Sequence, residues 1–180
     1  LHDVLEHISR KAAFLEHVRR FLHPKGRIFA GFPAWQMPFG GHQQICRHAL
    51  CAHLPFIHLL PARLYNALLK TCGESAAMRR ELLDIKRCGL SIETFEALLP
   101  QTGLQSFRRT LWLVNPHYQQ KFGLRPRRMP RWAGRLKYLR NYASTSCWYL
   151  LGHTAGKETE EQHPCGKKKQ EGRKKFFPAL

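Results

Sequence analysis

A Pro-Gly stop near the start of the chain, His23-Pro24-Lys25-Gly26, does most to fix what this sequence can fold into. Ahead of it, Phe14, Leu15, Val18, Phe21 and Leu22 recur at the spacing of one helical face, and Ser9 stands where an N-cap would. Beyond it, Arg27-Ile28-Phe29-Ala30-Gly31-Phe32-Pro33 is short and mostly apolar, as a strand covered on both faces would be. Proline cannot continue a helix, and glycine lets the backbone turn out of one. Helix, tight turn and buried strand is the rhythm of an α/β sheet.

The later segments keep this mixed character. Ala34 to Pro61 is irregular, rich in histidine, proline and glycine, and a long loop dense in polar chemistry is more often a site than a spacer. Helices are expected over 62–72, 75–88 and 91–99, punctuated by Gly73, Gly89 and Gly103, with Ser75 and Ser91 as N-caps. Phe107 to Asn115 and Thr145 to Leu151 read as strands. Between them, Lys121 to Arg140 carries eight Lys or Arg and no acid, with Trp132 and Tyr138 interleaved. A folded domain is expected over 1–155 and a basic, disordered tail over 156–180, where Lys167-Lys168-Lys169 and Arg173-Lys174-Lys175 are charge runs.

Composition narrows the function classes. Hydrophobic residues make up 43% of the chain, enough to fill a core, while the net charge of +18 predicts affinity for anionic partners. No window offers the roughly 20 apolar residues of a membrane span. The richest, Ala49 to Leu69, is interrupted by His53, Pro55, His58, Pro61 and Arg63. The six cysteines form no Cys-x-x-Cys pair, and the first residues resemble no secretion signal, so reduced thiols and a cytoplasmic location are expected. The opening, without Met and already inside a patterned segment, suggests a chain cut from something longer.

Asp3-Val4-Leu5-Glu6-His7-Ile8, the helix after it, and the turn through His23-Pro24-Lys25-Gly26 into Ile28-Phe29 together resemble the middle of class I S-adenosylmethionine (SAM) dependent methyltransferases. In that family a D-x-L-E-H segment follows the fourth strand, and a Pro-Gly turn opens the fifth. The strand-like 107–115 and 145–151 look like the family's closing antiparallel pair. The resemblance covers Leu1 to about His153 and implies the C-terminal half of a Rossmann-like methyltransferase sheet, with the last strand inserted antiparallel beside the fifth and flanking helices. It also implies SAM as methyl donor and a small-molecule or lipid-like acceptor. The Gly-rich loop and the ribose-binding acid of the family have no counterpart in these residues, since Gly40-Gly41 lies downstream and precedes no βαβ unit.

Several side-chain sets carry candidate chemistry. In a helix begun at Val4, Asp3 and Glu6 would share a face with His7 beside them. By resemblance Asp3 contacts the cofactor near its methionine end. His7 suits a general base toward a hydroxyl acceptor, and Asp3, Glu6 and His7 equally suit a divalent cation such as Mg²⁺ or Mn²⁺. A plainer alternative has the two acids facing a helix N-terminus while His7 packs. In the loop after the strand, Trp35, Met37 and Phe39 can wall an acceptor pocket, with His42 and Gln43 orienting a polar group and His42 completing a cluster around His7.

His42, Cys46, His48, Cys51 and His53 have zinc-ligand chemistry, but Cys-x₄-Cys is not a finger spacing and no second ligand pair is evident downstream. The arginines at 125, 127, 128, 131, 135 and 140, with Lys137, Trp132 and Tyr138, leave three readings open. They are a solvated flap, a surface for an anionic substrate or peripheral membrane contact, or a nucleic-acid interface. His117 and Tyr118, where a strand ends, are placed to face the same cleft. A non-catalytic basic module binding nucleic acid or anionic membrane is therefore the alternative to the enzyme.

Overall fold

The structure is a computed structural model that describes residues 1–154, so the expected disordered tail over 156–180 lies outside the described residues. Helix α1 (Lys11–Arg20) buries Leu15 and delivers the chain, through the expected Pro-Gly stop, into strand β1 (Ile28–Phe32). After the loop come α2 (Ala49–His53), α3 (Ala62–Thr71), α4 (Ala76–Cys88) and α5 (Ile92–Gln101). The chain then forms β2 (Leu104–Val114), α6 (His117–Phe122), the short β3 (Arg127–Arg128), α7 (Leu139–Ala143) and β4 (Ser146–His153).

The fold is mixed α/β, with a four-stranded antiparallel sheet in the order β1-β4-β2-β3 and flanking helices. Gly31 stands opposite Trp148 in the antiparallel β1–β4 pair, and Thr110 opposite the same Trp148 from β2. The final strand therefore does insert beside Ile28–Phe32 running the opposite way, and 104–114 and 146–153 are an antiparallel pair. At the free edge of β1 the opening residues run parallel to it. Gly31 N–H donates to the Leu1 carbonyl at 2.7 Å, and Asp3 N–H donates to the Gly31 carbonyl at 2.9 Å. Four short elements, α2, α6, β3 and α7, were not expected from the sequence.

One face of the sheet, with Ala30, Phe32, Leu111, Tyr149 and Leu151, packs against Leu5, Leu15, Phe95 and Leu99 to form the main core. Phe32, Phe95 and Tyr149 meet there ring to ring, 4.7–5.9 Å between centroids. The opposite face is partly open, with Phe29, Phe107 and Leu150 exposed. A second, smaller core joins α2, α3 and α4 through Cys46, Cys51, Ile57, Tyr65, Leu69 and Leu82. Among the described residues no helix is long and apolar enough to cross a membrane.

Two local expectations are corrected. Ser9 does not cap α1, because the chain is extended at Ile8 and the helix starts at Lys11, with Arg10 in the cap position. Lys11 ties that first turn down instead, its Nζ donating to the carbonyls of Ile8 and Cys88 at 2.6 and 2.5 Å. Nor do Asp3 and Glu6 share a helical face. Asp3 has a left-handed backbone, φ 51°, and the chain beyond it makes only a single 3₁₀ turn, Leu5–His7. Ser75 and Ser91 do cap α4 and α5, their hydroxyls accepting from Met78 and Thr94 N–H at 3.2 and 3.0 Å.

Candidate functional site

Because Leu1–Asp3 and β1 run in the same direction, both deliver their succeeding residues to one end of the sheet, where α/β folds build their sites. The Leu5–His7 turn stands on one side of that end. The loop after β1 curls over the other side through successive tight turns, Met37 N–H to Ala34 and Gly40 N–H to Met37, both 3.0 Å. At His42 the backbone enters the left-handed region, φ 56°, and the imidazole comes down on His7 with 5.1 Å between ring centroids. Glu6, His7 and His42 each place a ligand atom within 4.8 Å of the others.

Glu6 is the unusual member. It is only 5% exposed, and neither carboxylate oxygen has a hydrogen-bond partner among the described residues. Burial above all pushes its pKa up to about 7. Asp3 adds to the rise, while the local backbone N–H and Lys11 oppose it. Burial, with His7 beside it, pushes the His42 pKa down, so this imidazole is neutral near pH 7 and able to accept a proton. A carboxyl poised near neutrality beside two imidazoles suits proton transfer. The same donors fit a divalent cation, and a buried carboxylate with two orphaned oxygens is what a ligand lacking its metal would look like. With His42 rather than Asp3 as the third donor, the set is softer than the one expected from sequence and favours Mn²⁺ over Mg²⁺.

Asp3 is turned away from that trio. Its side chain is 58% exposed and pairs with His2 Nδ1 at 2.9 Å. The His2 ring in turn meets His117 at 5.1 Å, and burial, with some contribution from Asp3, raises the Tyr118 pKa. Asp3, His117 and Tyr118 thus form a polar rim, to which His2 is an addition the sequence did not single out. The loop residues expected to hold an acceptor are largely engaged with one another. Gln43 is fully buried with Nε2 donating to the Pro38 carbonyl at 3.0 Å, and Trp35 packs edge-on against His58 at 4.7 Å while its carbonyl accepts from His58 Nε2. A Cβ on Gly41 would collide with the His58 Cβ, so the Gly40-Gly41 pair serves close packing of the loop.

The basic stretch divides in two. Arg140 is not on its surface. With its side chain 4% exposed it bonds Glu93 at 2.9 Å and Glu96 at 2.7 Å, both on α5. Arg127, Arg128, Arg131, Trp132 and Tyr138 do face solvent, Trp132 being 70% exposed. Of the five residues with zinc chemistry, His42 stands with Glu6, and the His53 ring bonds the Ala49 carbonyl at 2.9 Å. Cys46 is buried in the second core, while His48 and Cys51 each place a ligand atom within 4.8 Å of Cys72 at the end of α3. A groove of about 510 Å³ between α5 and β2, lined by Leu99, Phe107 and Arg109 among others, contains none of the candidate site residues.

Comparison with protein-family models, with curated proteins and with solved structures found no match for this chain.

Proposed function

We propose that this chain is the C-terminal portion of a SAM-dependent methyltransferase acting on a small-molecule or lipid-like acceptor. The observation that carries the reading is the insertion of β4, antiparallel, between β1 and β2, with Leu1–Asp3 running parallel along the far edge of β1. That is the arrangement the resemblance of Asp3–His7 and His23–Phe29 requires of the fourth, fifth and closing strands. The fit of these residues to SAM is limited to one edge. The exposed Asp3 carboxylate suits the cofactor's methionine ammonium, whereas Gly40 and Gly41 are consumed against Trp35 and His58 and cradle nothing. When bound, the cofactor supplies an electrophilic methyl group on a sulfonium.

The chain's own residues then act on the acceptor. Neutral His42 takes the proton from an acceptor hydroxyl at a ring nitrogen. Glu6, close to His42 and His7, compensates the imidazolium that results when it is ionised. Both come from segments fixed to the sheet end, so the acceptor meets groups already oriented.

The test is calorimetric titration of SAM into the full-length protein that carries this chain. Heat of binding is expected, and its absence overturns the proposal. His42→Ala should keep that heat and lose methyl transfer to a hydroxyl acceptor by about 10²–10⁴-fold.

A second reading, a basic module on anionic membranes, is favoured by one observation. Phe122, Leu124, Trp132, Leu136, Tyr138 and Leu139 are all exposed within the stretch that carries Arg127, Arg128 and Arg131. Aliphatic side chains among the cations suit an acyl interface better than stacked bases.

A further inference from the structure

We propose that His48, Cys51 and Cys72, with the Glu74 carboxylate, form a zinc site that pins α2 to the C-terminal end of α3. This zinc site is independent of the methyltransferase reading. His48 is the N-cap residue of α2 and Cys51 lies three residues on, so both side chains reach the same side of the helix. Cys72 is the C-cap of α3, and Gly73, φ 79°, reverses the chain there, with Glu74 N–H donating to the Leu69 carbonyl at 3.0 Å. The reversal folds Glu74 back onto α2, where one carboxylate oxygen accepts from His48 N–H at 2.9 Å.

Ligand atoms of His48, Cys51 and Cys72 lie within 4.8 Å of one another. A tetrahedral zinc with bonds of about 2.3 Å to sulfur sets its sulfurs about 3.8 Å apart, so closure by no more than about an ångström completes the geometry. His48 is exposed and Cys72 half-buried, and rotation of those two side chains provides that movement.

The surroundings argue for an ion rather than for thiols that merely fill space. Glu74 is 6% exposed, and its second carboxylate oxygen is buried without a partner among the described residues. A buried carboxylate oxygen with no donor is costly unless a cation meets it. Two thiolates and an imidazole are soft donors that select Zn²⁺ over Mg²⁺ or Ca²⁺; the Glu74 carboxylate, held beside them by the His48 N–H, swings in as the fourth ligand. Each thiol releases its proton to solvent as its sulfur takes the metal. The core joining α2, α3 and α4 is small, the situation in which a metal contributes most to holding helices together. The spacing escaped the sequence because the partners of His48 and Cys51 lie beyond a whole helix.

The full chain, reduced and stripped of metal, is titrated with Co²⁺ and then Zn²⁺. One equivalent of cobalt should give the near-ultraviolet thiolate-to-cobalt band, and zinc should displace it. Cys51→Ser and Cys72→Ser should lose the band, while Cys88→Ser, outside the cluster, and Glu6→Gln, at the oxygen- and imidazole-lined site, should retain it. His48→Ala changes an exposed ring, tolerable to the fold, and should weaken cobalt binding by at least the about 10–100-fold that loss of an outer partner costs. No thiolate band in the reduced chain overturns the proposal, as does a band that survives both serine variants. Unchanged affinity in His48→Ala overturns it too, even if neither serine variant folds.

Discussion

A carboxyl that gives up its water without gaining a donor resists ionisation, and Glu6 is in that position. Its folded-state pKa of about 7 lies above the usual 4.5, so between these values the folded protein holds a proton that the unfolded chain has released. Its contribution to stability is therefore whole below pH 4.5, declines as pH rises toward 7, and is lost above that, with a full size of about 3 kcal/mol. Glu6→Gln keeps the shape and removes the titration. In metal-free buffer the variant should match the parent near pH 4 and exceed it by about 1–3 kcal/mol at pH 8, as read from urea midpoints. Equal midpoints at pH 8 would show that the carboxyl is solvated. The residue types of this site were legible in Asp3-Val4-Leu5-Glu6-His7, and so was the approach of His42 to His7, but the loss of Asp3 from the group was not. A left-handed backbone at Asp3 swings that acid outward. The apolar company of Val4, Leu5 and Ile8 was the available sign that Glu6 would be kept from water.

Between elements, the strongest polar tie runs from α5 to the last third of the chain. Glu96 accepts from Arg109 on β2, Arg140 on α7 and Tyr149 on β4, while Glu93 also accepts from Arg140. Asn141 adds its side-chain carbonyl to the Ile92 N–H at the start of α5, 2.8 Å away. Arg140→Met would leave two acids partly stranded, an expected loss of about 3–5 kcal/mol, whereas Arg131→Met on the surface should stay within about 0.5 kcal/mol. Similar urea midpoints for the two variants would count against the internal role. A run of cations in a sequence does not show which one turns inward, because the acids that receive Arg140 belong to a helix far upstream. Caps are different, being local: Ser75 and Ser91 were readable for that reason. Ser9 misled because tertiary packing of the Leu5–His7 turn, not propensity, sets where α1 begins.

Taken as a whole, the molecule has a well-packed core on one side of its sheet, a small helical core beside it, and a cationic, aromatic flank from Phe122 to Leu139. If that flank meets anionic lipid, the chain should sediment with phosphatidylserine vesicles at low salt and be released as salt is raised. Arg127→Glu, Arg128→Glu and Arg131→Glu together should weaken the interaction by about 100-fold or more, at about 1 kcal/mol for each basic residue near the surface. Equal partition of parent and triple variant would remove the membrane reading.

The placement of β4 also dictates when the fold can appear during synthesis. Among the described strands, the one that lies between β1 and β2 is made last, so β1 waits for that neighbour while residues 33–145 are synthesised. Until then the edge of Ile28–Phe32 that β4 will cover is an open apolar strand edge, and a nascent-chain chaperone that shields such edges should be most needed in that interval.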